Sequence, residues 1–239
     1  MLNDVIYIMS ESLIERLNNI NISNNSNNDN NSNMEQTNVK DVYEKIASHF
    51  SNTRTYSWLW ITEFLEGINY KNENALIYDL GCGNGRNMNY KNLKFIGIDN
   101  CESFIKICKN KNLNVIKSDI TNTLLPSNSA DAIICIAVIH HLVSEENRIR
   151  ALLEIKRLIK PGGKILLSVW SINQPKKTRR NFKSYGNNIV IWNNYGETYD
   201  RFYYIFKIDE LKMLIKKAGL YILNHTYDCG NEIFVLLKS

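Results

Sequence analysis

The sequence lacks several patterns that define common protein classes. Its five cysteines include no C-x-x-C pair, and their spacing matches neither a zinc site nor a disulfide framework. No run of eighteen apolar residues is present, so we expect no membrane span and no membrane partner. The N-terminal residues include Asp4 and Glu11 and no basic region, which argues against a secretory or mitochondrial leader. These absences favour a cytoplasmic protein with reduced thiols, for which a nuclear location is also open.

Length and charge set further bounds. A chain of 239 residues suits one α/β domain with appendages and can bury a substantial core. The net charge of +5 is mild, so it permits nucleic-acid binding without arguing strongly for it. Ten of the sixteen residues from 18 to 33 are asparagine, and such a tract is expected to be disordered. We therefore divide the chain into an N-terminal extension, 1–38, with a short helix over 1–17, and a folded domain, 39–239.

The pattern of apolar residues predicts alternating strands and helices. Two helices precede the first strand, and strands are predicted over 76–80, 94–98, 114–118, 132–136 and 164–170. Helices are predicted over 84–90, 102–110, 145–159 and 208–218, with two final strands over 221–227 and 232–237 forming a hairpin. Residues 171–200 show few regular signals, which is typical of a functional or disordered loop. The predicted fold is an α/β Rossmann-like domain with a seven-stranded, mostly parallel sheet and an antiparallel last strand.

A glycine-rich segment follows the first predicted strand. Gly81, Gly83 and Gly85 occupy alternate positions, and Asp99 ends the second strand. Glycine lets the backbone turn sharply and approach a ligand closely, and an acid at the next strand end can bind both ribose hydroxyls. The segment therefore predicts a site for a nucleoside-containing cofactor.

The spacing of these glycines identifies the cofactor class. A dinucleotide site has the spacing G-x-G-x-x-G, whereas this chain has G-x-G-x-G preceded by Asp79. The pattern resembles the first motif of Rossmann-like, class I S-adenosylmethionine-dependent methyltransferases. That cofactor has an amine in place of a phosphate, which suits an acid near the loop. The predicted cofactor-binding residues are Asp79, Gly81, Cys82, Gly83, Gly85, Asp99, Asp119, Ile120 and Ala137.

Other strand ends supply further candidates, because ligands of such sheets bind beyond the carboxyl ends of the strands. Asp119 and Ile120 suit an adenine amine and ring face, and the alternative for Asp119 is a helix or turn cap. His140 and His141 follow the fourth strand, where a substrate would meet the methyl group. Adjacent histidines cannot point the same way, so we expect one to face the site and the other to pack. No third ligand stands at metal-site spacing, so no metal is expected.

Two absent patterns reduce the number of chemical groups that could accept the methyl group. No Asn/Asp-Pro-Pro-aromatic run follows the fourth strand, which disfavours methylation of an exocyclic base amine. No cysteine follows that strand, because Cys135 lies within it, which disfavours methylation of a pyrimidine carbon. Oxygens and simple nitrogens remain. A carboxylate acceptor is already ionised at neutral pH, so it needs cations and positioning in place of a base.

Candidate cations lie on both sides of the core. Arg54 and Arg201 could hold such an acceptor or could be ordinary surface or ion-paired arginines. A basic cluster with Phe182 and Tyr185 beside it could be a solvated face, but its interleaved aromatics favour contact with RNA. The cluster consists of Lys176, Lys177, Arg179, Arg180 and Lys183.

Five segments together resemble one family. They are residues 42–54, 79–85, 136–142, 169–174 and 201–204. The chain is similar over roughly 39–239 to the Trm9/ALKBH8-type tRNA wobble-uridine (carboxymethyluridine) methyltransferases. It departs from their pattern where Leu59 follows Trp58 in place of proline. It also departs after Tyr227 and Asp228, where residues 229–232 read Cys-Gly-Asn-Glu in place of the family's Arg-Asp-Asn-aromatic run.

The resemblance implies a specific reaction and partner. The expected activity is methylation of the 5-carboxymethyluridine carboxylate at tRNA position 34, which gives a methyl ester. The resemblance assigns His49, Arg54, one of His140 and His141, and Arg201 to the modified uridine. It also implies a small zinc-binding activator, Trm112-like, that adds a strand beside residues 113–116. Two other functions stay open: a small-molecule O- or N-methyltransferase with the same cofactor site, and a non-catalytic module that binds tRNA or a partner.

Overall fold

A computed structural model describes residues 25–178 and 182–238. The helix predicted over 1–17 lies outside the described residues, as do Arg179 and Arg180. The helices are α1 (Asn25–Glu35), α2 (Asp41–Asn52), α3 (Leu59–Lys71), α4 (Glu102–Asn110), α5 (Glu145–Leu158) and α6 (Ile208–Lys217). The strands are β1 (Leu76–Leu80), β2 (Lys94–Asp99), β3 (Val115–Lys117), β4 (Ala130–Ile136), β5 (Ile159–Trp170), β6 (Gly186–Asn194), β7 (Glu197–Ile205), β8 (Leu220–Asp228) and β9 (Asn231–Lys238). No helix of this part of the chain is long and apolar enough to cross a membrane.

Seven strands form one sheet in the order β3-β2-β1-β4-β5-β9-β8. The first five are parallel, and β9 pairs antiparallel with both β5 and β8. The predicted fold class is therefore confirmed. The order reverses between β1 and β4, which opens a crevice at the carboxyl ends of the central strands.

The central strands are buried on both faces. Ile133 and Cys135 of β4 pack into the cluster formed with α5 and α6. Ala132 and Ile134, on the opposite face, pack against Ile61 and the rest of the α3 cluster. This two-sided burial explains why the parallel strands consist of continuous apolar residues.

The segment after the glycine loop differs from its prediction. Residues 84–90 form turns in place of the predicted helix. Asn84 is buried, and its side chain donates hydrogen bonds to the Arg54 carbonyl (2.9 Å) and to Ser51. Lys111 Nζ donates to the Asn84 carbonyl at 2.8 Å. These contacts outweigh the weak helix propensity of an Asn-rich segment and hold the loop against α2.

The predicted loop over 171–200 is also wrong in its second half. Strands β6 and β7 form an antiparallel hairpin there, separate from the main sheet. Exposed and partly buried side chains alternate along β6, as expected for a ribbon with one face on the protein. Ile189 and Ile191 are exposed whereas Val190 and Trp192 are partly buried, so apolar residues lie on both faces and the sequence shows no alternation.

The N-terminal boundary lies earlier than residue 39. The described part of the Asn-rich tract, predicted to be disordered, forms α1. A short π-helical segment, Gln36–Lys40, joins α1 to α2. Helix α1 therefore continues from α2, which packs on the domain, and does not have to form alone. Glu35 Oε2 accepts hydrogen bonds from Val143 N and Asn147 Nδ2, each at 3.2 Å. Residue 35 therefore already belongs to the folded unit.

Candidate active site

A cavity lies at the carboxyl ends of β1, β2, β4 and β5. Its wall combines the glycine loop, the strand-end residues, the histidine pair and side chains from α2 and the segments around it. Predicted residues that line it are Arg54, Gly81, Cys82, Gly83, Asp99, Asp119, Ile120, Ala137, His140 and His141. Asp79 and Gly85, also predicted to bind the cofactor, do not line the cavity. The fold thus brings together groups that are separated by up to about ninety positions along the chain.

The three glycines of the loop have different roles. A Cβ on Gly81 would lie 2.4 Å from Val138 Cγ2, and one on Gly85 would lie 2.3 Å from Leu113 Cδ1. A Cβ on Gly83 would meet no described atom within 4 Å. All three have positive φ, which other residues adopt at a cost. Gly81 and Gly85 therefore allow close packing, whereas Gly83 presents bare backbone to the cavity.

Asp99 fixes the loop from the second strand. Its Oδ2 accepts from Gly83 N at 2.8 Å, and its Oδ1 accepts from Cys101 N at 2.9 Å. Burial raises the pKa of Asp99 to about 6, although these backbone hydrogen bonds oppose the increase. The carboxylate is held at the end of β2, where the sequence pattern predicts contact with a ribose.

Asp79 tests whether the site fits the predicted cofactor. Its side chain is buried, and Oδ2 has no hydrogen-bond partner among the described residues. Burial raises its pKa to about 7, and Arg86 opposes that increase. A buried carboxylate with an unused oxygen is costly unless a donor or cation meets it. An ammonium group, as in S-adenosylmethionine, would supply both, so the residues fit that cofactor.

The third and fourth strand ends complete the predicted cofactor site. Asp119 Oδ1 accepts from Thr121 N (2.9 Å) and Thr121 Oγ1 (2.8 Å), so it caps a turn and lines the cavity at once. Ile120 supplies an apolar wall beside it. Ala137 adopts φ of 59°, a left-handed conformation that is strained for alanine and typical of functional strand ends.

Both histidines line the cavity, so the expectation that only one of them faces the site is wrong, but their hydrogen bonds differ. His140 Nδ1 accepts from Trp170 N at 3.0 Å, which places the proton of the neutral ring on Nε2. His141 Nδ1 donates to the Phe202 carbonyl at 3.0 Å, and its Nε2 lies 3.1 Å from the Tyr43 hydroxyl. Burial lowers the pKa of His141 to about 3, so this ring is neutral. Both ring nitrogens of His141 therefore form hydrogen bonds within the protein.

A directed hydrogen-bond chain leads from Arg201 to His141. Arg201 Nη1 donates to the Tyr203 hydroxyl at 2.7 Å, and that oxygen lies 3.3 Å from the Tyr43 hydroxyl. Because His141 Nε2 is an acceptor, Tyr43 donates to it, and Tyr203 in turn donates to Tyr43. Arg201 is buried and lies outside the cavity lining, so it acts on the site through Tyr203 and Tyr43, which do line it.

Two guanidinium groups give the cavity a positive wall. Arg54 and Arg86 both line it, with Arg54 Cζ 5.3 Å from the Phe50 ring centre and Arg86 Cζ 4.2 Å from that of Trp58. Burial, with repulsion from Arg54, lowers the pKa of Arg86 to about 10, so it stays charged at neutral pH. Arg86 was not among the predicted site residues. Its position directly after Gly85 was the signal available in the sequence.

His49 lies beside the cavity and outside its lining. Its ring centre is 5.4 Å from that of Trp192 and 4.7 Å from that of Tyr195. Arg201 Cζ lies 4.7 Å from the Trp192 ring centre on β6. Sequence reasoning missed both aromatic residues, because they belong to the hairpin that was predicted as a loop.

The basic cluster is only partly described. Lys176 and Lys183 are exposed, whereas Arg179 and Arg180 lie outside the described residues and Lys177 is described by its backbone alone. Phe182 is buried against Trp170, so it is unavailable for stacking on a base. Its predicted role beside the cations is therefore wrong. Contact of the cluster with RNA stays a prediction.

Metal-ligating side chains do not gather in the described ranges. Within residues 25–178 and 182–238, no three His, Cys, Asp or Glu side chains form a group that could hold a metal ion.

Comparison of the sequence with known proteins identifies relatives. The family described as a methyltransferase domain matches residues 78–167. A tRNA (carboxymethyluridine(34)-5-O)-methyltransferase of Schizosaccharomyces pombe is 36% identical over 228 residues, covering 86% of this chain and 98% of that protein. The mouse enzyme of that name, ALKBH8, is 39% identical over 148 residues, covering 62% of this chain. The chain matches about a fifth of the length of this much longer relative.

Solved structures share the fold at low sequence identity. An S-adenosylmethionine-bound amino pentose methyltransferase from Micromonospora echinaspora, CalS10, superposes with a TM-score of 0.61 at 15% identity, covering 83% of this chain and 97% of that one. An S-adenosylmethionine-dependent methyltransferase from Clostridium acetobutylicum gives 0.60 at 13%, covering 83% and 96%. These similarities establish the architecture.

Proposed function

We propose that the chain transfers a methyl group from S-adenosylmethionine to tRNA, because it belongs to the family of tRNA (carboxymethyluridine(34)-5-O)-methyltransferases. The acceptor is the carboxylate of 5-carboxymethyluridine at position 34, and the product is its methyl ester. The family membership rests on the Schizosaccharomyces pombe enzyme, because the alignment with this chain covers 98% of that protein.

The observation that carries the proposal is the positive wall of the cavity. Arg54 and Arg86 line it, and the buried Asp79, outside the lining, has an oxygen without a partner among the described residues that fits the cofactor's ammonium group. The cofactor carboxylate and the substrate carboxylate both need cations, and arginine binds carboxylates in a two-pronged geometry. A wall with two arginines therefore suits a reaction in which the cofactor and the substrate each carry a carboxylate.

The chemistry needs no general base. S-adenosylmethionine supplies an electrophilic methyl group, and the acceptor carboxylate is ionised at neutral pH. Asp99 and the Gly83 backbone would hold the ribose side of the cofactor, and Asp79 would hold its ammonium group. Arg54 and His140 Nε2 orient the acceptor oxygen, and the chain from Arg201 keeps His141 and Tyr43 in place. The contribution of the protein is positioning, exclusion of water and charge complementarity.

We also propose that a small zinc-binding, Trm112-like activator pairs with β3. This strand is at the edge of the seven-stranded sheet and has only three residues. Ile116 is partly exposed on it, and an open apolar edge invites an added strand. Ile116→Lys should reduce co-purification of the activator, whereas Tyr221→Lys on β8, at the opposite edge, should not. Equal co-purification of both variants would contradict the β3 placement.

Methyl transfer from labelled S-adenosylmethionine tests the activity directly. The chain, co-purified with the activator, is incubated with tRNA that carries 5-carboxymethyluridine at position 34 and with the same tRNA carrying unmodified uridine there. We expect label only on the first tRNA, released by mild alkali because the product is an ester. Absence of label from both tRNAs, with cofactor binding intact, would refute the proposal and favour a small-molecule acceptor.

A further inference from the structure

The tip of the β6–β7 hairpin holds an exposed tyrosine in an unfavourable backbone conformation. Asn194 pairs with Glu197, so the loop between the strands consists of Tyr195 and Gly196 alone. Their φ angles are 51° and 97°. Positive φ at both central positions is the type I′ hairpin turn, which strongly favours Asn or Asp followed by Gly. Tyrosine at the first position therefore costs stability relative to asparagine.

The side chain of Tyr195 gains little burial in return. It is 84% exposed, and its ring centre lies 4.7 Å from that of His49 at an interplanar angle of 35°. One ring face therefore lies over His49, and the other is open to solvent. Strain kept at an exposed position indicates a function for the side chain.

Further aromatic and basic groups support the ring. His49 lies 5.4 Å from Trp192, and Trp192 lies 5.8 Å from Phe50, so a layer of rings continues from the hairpin into α2. Arg54 Cζ is 5.8 Å from the Trp192 ring centre and lines the cavity. Lys45 Nζ, also from α2, is 5.7 Å from the Tyr199 ring centre on β7. An anionic polymer that approaches this layer would meet both cations, Arg54 and Lys45.

We propose that the open face of Tyr195 stacks on a nucleobase of the tRNA anticodon loop next to the modified uridine. The inference rests on the proposed function, because it assumes a single-stranded RNA loop at the cavity. Aromatic side chains that stack on unpaired bases are a common means of holding such RNA, and each stack contributes about 1–3 kcal/mol. Tyr195 is thus a substrate-binding residue that lies beside the cavity and outside its lining.

Three substitutions at this position separate stacking from folding. Tyr195→Phe keeps the ring, Tyr195→Ala removes it, and Tyr195→Asn removes it while providing the side chain that the turn prefers. Tyr70→Ala is the matched control, because Tyr70 is equally exposed and lies near the end of α3, beside the amino ends of the strands. Each variant is purified as the full chain with the activator.

The test measures KM for modified tRNA, kcat, cofactor affinity and melting temperature. We expect Tyr195→Ala and Tyr195→Asn to raise KM roughly tenfold, with kcat and cofactor affinity within about twofold of the unsubstituted protein. Tyr195→Asn should melt at or above the unsubstituted temperature, so a raised KM could not be ascribed to unfolding. Tyr195→Phe and Tyr70→Ala should behave as the unsubstituted protein.

Binding of an anticodon stem-loop that contains 2-aminopurine beside position 34 gives a readout independent of turnover. Fluorescence quenching that is present in the unsubstituted protein and in Tyr195→Phe, and absent in Tyr195→Ala and Tyr195→Asn, supports stacking. Unchanged KM and unchanged quenching in Tyr195→Asn would overturn the inference. If the unsubstituted protein binds and quenches the stem-loop but methylates no tRNA, the proposed function fails while the stacking inference stands.

Discussion

The Asp79 carboxylate, two residues before the first glycine of the loop, shows how single residues set the pH response. Burial raises its pKa from 3.8 to about 7. The folded protein without cofactor therefore binds more protons than the unfolded chain between about pH 4 and pH 7. The stability due to the protonated carboxyl is fully present below that range and is lost as the pH rises through it.

Asp79→Asn should remove this dependence and weaken cofactor binding. The neutral amide cannot offset an ammonium group, so we expect the Kd for S-adenosylmethionine to rise at least about tenfold. Without cofactor, the melting temperature should fall less between pH 5 and pH 8 than in the unsubstituted protein. Calorimetric titration and thermal denaturation measure the two effects. An unchanged Kd would show that Asp79 does not meet the ammonium group.

Arg201 acts at a distance from the reacting groups. Because it lies outside the cavity lining and donates to Tyr203, Arg201→Ala should lower kcat at least about tenfold and leave cofactor affinity unchanged. Arg201→Lys should retain part of the activity, since it keeps a donor and a charge. The control is Arg150→Ala, which removes a surface arginine paired with Glu146. Loss of cofactor affinity in Arg201→Ala would instead place this residue in the cofactor site.

At the scale of elements, Glu44 links helices α2 and α4. From α2, its carboxylate oxygens accept from Glu102 N (2.5 Å) and Ser103 N (3.0 Å) at the start of α4. The first backbone N–H groups of a helix need such acceptors, and the helix dipole favours a negative charge there. Burial raises the pKa of Glu44, but these hydrogen bonds outweigh it, so the net pKa is lowered.

Glu44→Ala should therefore lower the free energy of unfolding by about 1 kcal/mol. The control, Glu63→Ala, removes an exposed glutamate from α3 and should change stability little. Because the pKa of Glu44 is lowered, its contribution is present above its unfolded pKa, near 4, and is lost as the pH falls through the folded value. Urea denaturation at pH 7 and at acidic pH checks both statements. Equal effects of the two substitutions at pH 7 would contradict the capping role.

At the scale of the whole molecule, we expect tRNA binding to depend strongly on salt. Lysine and arginine side chains that contact RNA phosphates release counterions on binding, an effect that comes from the contacts and not from the mild net charge of +5. We expect the Kd for tRNA to rise at least about tenfold between about 50 and 200 mM salt. Cofactor affinity should change far less, because its contacts lie in a buried cavity. Equal salt dependence of both ligands would argue against a phosphate-contacting surface.

The pattern of hydrophobic residues along the chain was sufficient to predict the strands of the central sheet. Strands such as β1 and β4 are apolar over their whole length because both faces are buried, so their existence can be predicted from the sequence. The β8–β9 hairpin was recognisable by its Asp-Cys-Gly-Asn turn, and Cys229 and Gly230 indeed adopt positive φ. The β6–β7 hairpin has the same turn geometry, with Tyr195 where the other has Cys229, but apolar residues on both faces of β6 left no alternating pattern to predict the strand.

The sequence by itself determined the fold class, the glycine loop and the acids at the strand ends, because these depend on local periodicity and on backbone freedom at particular residues. Only the tertiary structure decided which groups face the cavity. It brought Arg86 to the wall, placed Arg201 behind Tyr203, and set Tyr195 over His49. Orientation of this kind depends on contacts between elements distant in sequence, and no local pattern encodes it.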